Sequence, residues 1–324
     1  MNFPSILETI GHTPLVKLQK LSPNPAITIL AKCEFMNPSG SIKDRIVAYI
    51  IADAEKRGLL KPGGTIVENT SGNTGAATAM IAAVKGYKAI LIMPDKVSKE
   101  KQDALKAYGA EIIVTPTSAQ PDSPEHYVNI AIRIAKETPN SFRINQYDNK
   151  KNPEAHYHST GPEIWKQTGG QIDYFIASAS TGGTISGAGR YLKERNPHIK
   201  IIMPDPIGSI YYEYFKTGKI EQHGNCSYFV EGIGEDHLAQ AMDFSLVDDV
   251  LQFTDKDAFL VAHRLAKEEG ILAGGSSGAN IWAALKIAEN LDHPATIVTV
   301  LPDSGVKYLS KIYNDEWMKK QHLL

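Results

Sequence analysis

The stretch Thr65-Ile66-Val67-Glu68-Asn69-Thr70-Ser71-Gly72-Asn73-Thr74 sets a short, mostly apolar run against a cluster of small polar residues. It reads as a strand ending at Glu68 or Asn69, a turn, and a helix continuing through Met80 to Val84, because β-branched residues favour strands and Ser, Thr and Asn favour helix starts. The alternation spreads both ways. Upstream, residues 27–31 read as a strand, 42–57 as a helix closed by Gly58, and 62–64 as a turn; downstream come strand 89–93, helix 99–108 and strand 111–114. A second set follows: a helix around 161–167, strand 174–177, a helix through 191–195, strand 200–203, helices 257–269 and 279–290, and strand 295–300. Apolar runs this short, separated by helical patterns, predict parallel sheets covered on both faces, hence an α/β fold of two doubly wound domains. The Pro- and Ser-rich residues 116–124 read as a surface loop before a helix through 130–135. No repeat, heptad array or low-complexity tract is present, which removes solenoid and coiled-coil readings.

At 324 residues and 42% hydrophobic content, the chain is long enough for two cores. Its net charge of −2, from 34 basic and 36 acidic residues, leaves no footprint for nucleic acid or an anionic membrane and favours a small-molecule partner. Cys33 and Cys226 are too few for a disulfide scaffold and lack paired metal-ligand spacing, so a cytoplasmic location is expected, with a single bridge left open. The N-terminal residues show no basic region followed by an apolar run, and no stretch approaches bilayer-spanning length. His156 and His158 stand too close for ligands at i, i+4 on a helix face, so no metal site is expected.

In doubly wound sheets ligands sit beyond the carboxyl ends of strands, where the Gly, Ser and Thr clusters of this chain fall. Ser180-Thr181-Gly182-Gly183-Thr184 follows a predicted strand and opens a helix, so backbone N–H groups and hydroxyls can converge on an anion. It lacks the lysine of a P-loop and the spacing of a dinucleotide fingerprint. Thr70 to Thr74 has the same layout and suits a carboxylate, with Asn73 able to bond a phenolic or carbonyl oxygen. Gly274-Gly275-Ser276-Ser277-Gly278 is a third such turn. Each is also compatible with an ordinary helix entry. In Asn37-Pro38-Ser39-Gly40-Ser41-Ile42-Lys43-Asp44-Arg45, turn residues lead into a helix with Ser41 suited to cap it, which places Lys43 in the first turn. There the macrodipole favours a neutral amine, a nucleophile able to form an imine with an aldehyde; taken alone, Lys43 also reads as a solvated lysine.

Together these four motifs resemble the fold-type II pyridoxal-phosphate enzymes, specifically the cysteine synthase and cystathionine β-synthase branch, and the likeness runs from Ile10-Gly11-His12-Thr13-Pro14-Leu15 to Leu301-Pro302-Asp303-Ser304. The resemblance implies a tryptophan synthase β-like fold, pyridoxal 5'-phosphate as cofactor, and a homodimer. It implies a larger domain of residues 1–46 and 150–324 carrying the lysine and the phosphate loop, and a smaller mobile domain of 47–149 carrying the carboxylate loop. By the same likeness Lys43 forms the imine, Asn73 bonds the cofactor's ring oxygen, and Ser180, Thr181, Gly182, Gly183 and Thr184 hold its phosphate. Ser276 faces the pyridine nitrogen, where a hydroxyl cannot protonate the ring and so favours elimination at Cβ. Thr70, Ser71, Thr74 and Gln146 hold the substrate carboxylate, with Tyr147 and Gly232 in the substrate site. Ser180 departs from the family's usual glycine. If that position needs a positive φ, serine is strained by about 1 kcal/mol; if not, its hydroxyl is available as a phosphate contact.

Tyr147, where the sulfide-using branch usually has phenylalanine, together with Glu231-Gly232-Ile233-Gly234-Glu235-Asp236 and Leu301-Pro302-Asp303-Ser304, resembles the cystathionine β-synthase side. A tyrosine hydroxyl and extra acidic groups suit a second substrate bearing an ammonium, although Tyr147 also reads as a packing aromatic and Glu235 with Asp236 as a solvated turn. The chain ends near Trp317, so neither a C-terminal regulatory module nor an N-terminal haem-binding extension is expected. The favoured reading is β-replacement on serine or an activated serine with homocysteine, giving cystathionine. The alternatives are a cysteine synthase using O-acetylserine and sulfide, a serine or threonine deaminase, and a non-catalytic binding protein that keeps the fold.

Overall fold

The structure, a computed structural model, describes residues 2–70, 72–95, 97–120, 122–220 and 227–324. Ser71, Pro121 and Cys226, which entered the sequence reading, lie outside them. In chain order the elements are β1 (Leu15–Lys17), β2 (Ile27–Cys33), α1 (Lys43–Lys56), β3 (Thr65–Asn69), α2 (Asn73–Lys85), β4 (Lys88–Pro94), α3 (Lys99–Ala107), β5 (Glu111–Thr115), α4 (Tyr127–Glu137) and β6 (Ser141–Arg143). The chain continues with α5 (Lys151–His158), α6 (Thr160–Thr168), β7 (Tyr174–Ile176), α7 (Gly183–Arg195), β8 (Lys200–Pro206), α8 (Tyr211–Thr217), β9 (Asp249–Phe253), α9 (Asp255–Glu269), α10 (Gly275–Glu289), β10 (Ala295–Leu301) and α11 (Asp315–Lys320).

Two compact units divide the chain, Met1–Ile10 with Asn37–Lys151 and Gly11–Met36 with Asn152–Leu324. The boundary expected after residue 46 would cut through α1. Helix α1 buries Ile46, Val47, Ile50, Ile51 and Ala54 and packs on α2 within the first unit. The chain therefore changes unit ahead of the turn at Asn37, and Lys43 belongs to the first unit rather than the larger one.

In the first unit the strand order among the described residues is β5-β4-β3-β6, every pairing parallel. Central β3 is buried at all five positions, as a strand covered on both faces should be. Val67, Ile92 and Ala131 form its core with Ile90, Ile113, Tyr127, Ile130 and Ile134 packed around them.

In the second unit the order is β1-β2-β10-β7-β8-β9, parallel except for the β1–β2 hairpin. Its middle is β10, which pairs with β2 from Ala295↔Ile27 to Leu301↔Cys33. Ile29, Ile176, Ile202 and Ile297 share a core with Ala284 of α10; each such isoleucine contributes up to about 3 kcal/mol by leaving water. Lys32 is the exception in β2, fully buried, with Nζ donating to Thr13 O (2.6 Å), Glu163 Oε2 (2.7 Å) and Gln167 Oε1 (2.9 Å). All three of its protons are thus used. Cys33 is buried as a free thiol whose pKa desolvation pushes up to about 11, so it is inert at neutral pH. No helix among the described residues is long and apolar enough to cross a membrane.

Candidate active site

The first unit carries two predicted motifs. Before α1, Gly40 turns the chain at φ +82°, and its N–H donates to Asn37 O at 2.8 Å. Asp44, fully buried, holds the turn by accepting from Ser39 N at 2.7 Å and from Ser39 Oγ. The N-cap is Ile42 rather than Ser41, whose Oγ instead accepts the N–H of Lys43 at 3.3 Å. Lys43 is thus the first residue of α1 and half-buried between buried neighbours, on a turn fixed from both sides.

The carboxylate motif lies at the carboxyl ends of β3 and β6. Asn73 opens α2 after Gly72, and Thr70 and Thr74 are both buried. Thr74 Oγ1 donates to Gln146 Oε1 at 2.7 Å, so two residues 72 positions apart in the chain meet. Gln146 and half-buried Tyr147 sit on the turn after β6. Sequence reasoning passed over Glu68. Buried in β3, it accepts from Asn145 N at 2.9 Å and lies 3.5 Å from Gln146 N. Desolvation pushes its carboxyl up to about 7 against the opposing pull of those N–H groups and of Arg143. The signal was present: one acid directly after the apolar pair Ile66-Val67 in a strand expected to be covered on both faces.

In the second unit, β7 leads through residues 177–182 into α7. Gly182 is the N-cap at φ +76° with no side chain capping the helix. Ser186 is the first residue whose N–H reaches a carbonyl, Gly182 O at 3.0 Å. Among the described residues the N–H groups of Gly182, Thr184 and Ile185 have no protein acceptor, and that of Gly183 has only Thr181 Oγ1 at 3.4 Å. Helix α5 backs the loop: Asn152 Nδ2 donates to Thr181 Oγ1 at 2.9 Å, and His156 bridges Thr160 (2.8 Å) and Thr184 (3.2 Å). A Cβ on Gly183 would stand 1.9 Å from Asn152 Oδ1 and one on Gly182 2.5 Å from Met242 Sδ, which explains both glycines.

Ser180 settles the question its sequence raised. It is not among the residues with positive φ, and its hydroxyl donates to Glu235 Oε1 at 2.5 Å. The hydroxyl of Ser180 thus has a carboxylate as acceptor. The turn with Glu235 is fastened further by Gly234 N to Ala179 O (2.7 Å), Glu235 N to Ser209 Oγ (3.1 Å) and Tyr211 Oη to Ser180 O (2.6 Å). Glu235 is thus no solvated turn residue, whereas Asp236 is exposed. Gly232 takes φ +80° with open space where a Cβ would go. Beneath this turn Asp205 is buried, with Tyr212 N on Oδ2 at 3.0 Å and, among the described residues, no hydrogen-bond partner for Oδ1. Burial, with the nearby Glu235 charge adding to it, pushes Asp205 up to about 7.

Ser276 lies in the first turn of α10, nearly buried. Asn280 fixes that helix to the segment between β7 and α7 and to the central strand, accepting from Ser178 N at 2.8 Å and donating to Val300 O at 2.7 Å.

Orphan N–H donors at the positive end of a helix suit a phosphate, and a lysine amine suits the aldehyde of the cofactor that carries one. The residues present fit pyridoxal 5'-phosphate. The chain belongs to the pyridoxal-phosphate dependent enzymes, whose family model matches residues 6–303. Among characterised proteins it is similar to cystathionine beta-synthase of Apis mellifera, 49% identical over 323 residues covering 99% of this chain and 63% of that protein. It is likewise 49% identical to that of Mus musculus over 97% of this chain and 56% of the mouse protein. Cysteine synthase 1 of Neurospora crassa is 42% identical over 97% of this chain and 84% of its own length. The chain therefore spans about three fifths of the length of these cystathionine beta-synthases. The crystal structure of O-ureido-L-serine synthase superposes with a TM-score of 0.89 at 34% identity, covering 98% of this chain and all of that one. The family reading drawn from the four motifs is borne out.

Proposed function

We propose that this chain catalyses β-replacement on serine, or on an activated serine such as O-acetylserine, with homocysteine as the incoming thiol and cystathionine as product. The observation that carries this reading is the gradient of likeness, 49% to cystathionine beta-synthases against 42% to a cysteine synthase over nearly the same residues. Pyridoxal phosphate, when bound, supplies the aldehyde for imine chemistry and an electron-withdrawing ring that acidifies the substrate's Cα–H. With the cofactor bound, Lys43 Nζ would hold its aldehyde carbon; once displaced by the amino group of the substrate, the freed amine would take the Cα proton and return one to the oxygen departing from Cβ. Thr70, Thr74 and Gln146, with Ser71, hold the amino-acid carboxylate, and Asn73 donates to the cofactor's ring oxygen. The N–H groups of residues 180–184 hold the phosphate, and Ser276 offers a hydroxyl, not a carboxylate, to the ring nitrogen. A cytoplasmic, homodimeric protein is part of the same proposal.

The purified protein is expected to form cystathionine from serine or O-acetylserine and homocysteine faster than it forms cysteine from O-acetylserine and sulfide. Lys43→Ala should abolish turnover and the visible absorbance of the lysine-bound cofactor; a Lys43→Ala protein that keeps both would sink the assignment. A second reading, cysteine synthase, is favoured by the cysteine synthases, which this chain covers for 84% and 86% of their length. Faster cysteine formation in the same assay would select it.

A further inference from the structure

Strand β3 buries an acid. In Thr65-Ile66-Val67-Glu68-Asn69 every residue is buried and Glu68 is 1% exposed, so its carboxylate persists only if the protein replaces the water it has lost. A guanidinium would be the usual partner, and Arg143 is near, yet its Nη2 donates to Asn69 Oδ1 at 2.7 Å. The acceptors of Glu68 go instead to backbone N–H groups, Asn145 at 2.9 Å on Oε2 and Gln146 at 3.5 Å on Oε1. These are the two residues of the turn that presents Gln146. Asn145 sits at φ +51°, a left-handed conformation that a non-glycine residue keeps only when its surroundings impose it. The same turn is closed by Asn149 N on Asn145 O at 3.0 Å and Asn149 Nδ2 on Ile144 O at 2.9 Å. From it the carbonyl end of Gln146 takes the hydroxyl of Thr74, which leaves the amide nitrogen as the donor end of the side chain.

We propose that Glu68 is a positioning residue for the amino-acid carboxylate site, its carboxylate holding the Asn145–Gln146 turn in the conformation that fastens Gln146 to Thr74. The inference rests on the reading of Thr70, Thr74 and Gln146 given above. Ionised, Glu68 accepts on both oxygens; protonated, it becomes a donor facing two donors, and the turn loosens. Among the described residues the charged group acting on Glu68 is Arg143 on β6. Its register partner on β4 is Leu91, α4 packs Tyr127, Ile130 and Ile134 against the sheet, and α2 carries no charge before Lys85. Because burial lifts the carboxyl to about 7, the change falls in the neutral range.

The holoenzyme is assayed from pH 6 to pH 8.5 as wild type, Glu68→Gln, Glu68→Asp and Gln146→Ala, with hydrogen exchange of residues 141–149 followed without substrate. In the wild type, KM for the amino acid whose carboxylate is held should rise up to about tenfold per unit as pH falls below about 7, with kcat little changed. Glu68→Gln should have a KM raised about tenfold at pH 8, a flattened profile, and faster exchange at 141–149. Glu68→Asp, which keeps the charge, should retain part of the profile. The proposal is overturned if exchange at 141–149 is the same in Glu68→Gln, or if that variant loses kcat alone. Should Glu68→Gln not fold, a wild-type KM independent of pH across this range overturns it equally. If Gln146→Ala leaves KM unchanged, the carboxylate-site reading fails; if Gln146→Ala raises KM and Glu68→Gln does not, only the role of Glu68 fails.

Discussion

Ser180 shows how one substituted position recruits a partner. With its φ outside the left-handed region, the serine needs no glycine-like freedom, and its hydroxyl has found the carboxylate of Glu235, 55 residues onward. A hydrogen bond to a half-buried charge contributes about 1.5–3 kcal/mol. Urea unfolding of Ser180→Ala, Glu235→Gln and the double variant should therefore give single-variant losses of about 1–2 kcal/mol that fail to add. Ser180→Gly should lose as much as Ser180→Ala, since the backbone gains nothing from glycine; additive losses would mean that the two side chains do not act together. None of this pairing could be read from the chain, because hydrogen bonds between distant turns leave no periodic trace. The loop itself could be read, because small residues after an apolar run betray a strand entering a helix. Lys43 was legible for the same reason, whereas Glu68 was passed over because a lone acid in a strand looks like a solvent-facing residue until both sheet faces are seen to be covered.

At the scale of elements, what the sequence revealed and what it hid divide by length. The long central strands β3, β4 and β10 and helices α1, α2, α7, α9 and α10 have enough residues to display a period. Strand β6 has three residues, all half-buried, and β1 likewise three, too few to alternate visibly. Yet β6 is what brings Gln146 to Thr74, through its register with Thr65, Ile66 and Val67. Helix α8 and the short α11 were missed for the same reason, while α5 hides behind Lys-Asn-Pro, which reads as a turn until Pro153 is seen in the first helical turn, where proline is tolerated. Helices α9 and α10 meet so closely that a Cβ on Gly278 would lie 2.0 Å from Ala258 O. Backbone cannot yield as a side-chain tip does. Gly278→Ala should cost about 2–3 kcal/mol in denaturant unfolding and, because α10 carries Ser276 and Asn280, should weaken cofactor retention as well; an unchanged midpoint would contradict the tight crossing.

At the scale of the whole molecule, a buried acid contributes a pH dependence of stability opposite in sign to that of the carboxylates paired with cations. Asp205 keeps its proton to about 7, whereas an unfolded chain releases it near 3.8. Between those values the folded state binds more protons, so stability is greatest below the lower value and falls as pH rises through about 7, by at most about 1.4 kcal/mol per unit for this group. Asp205→Asn retains an acceptor for Tyr212 N and removes the titration. Its unfolding free energy should exceed that of the wild type at pH 8, on the order of 2 kcal/mol, and converge with it near pH 4. A parallel pH profile in the two proteins would show that Asp205 ionises freely.

The partnership of β2 with β10 bears on how the chain is born. Ile27–Cys33 leaves the ribosome almost a full chain length before Ala295–Leu301, a wait of roughly ten seconds to a minute at ordinary synthesis rates. In the folded chain β1 covers one edge of β2 and β10 the other, so the second edge waits for its partner strand until β10 is made. Lys32, paired with Glu163 in the folded chain, is the one charged residue of that strand, next to its last position. A charge in an otherwise uncharged strand disfavours edge-to-edge pairing while that edge is bare, and in the folded sheet the same charge is fully buried.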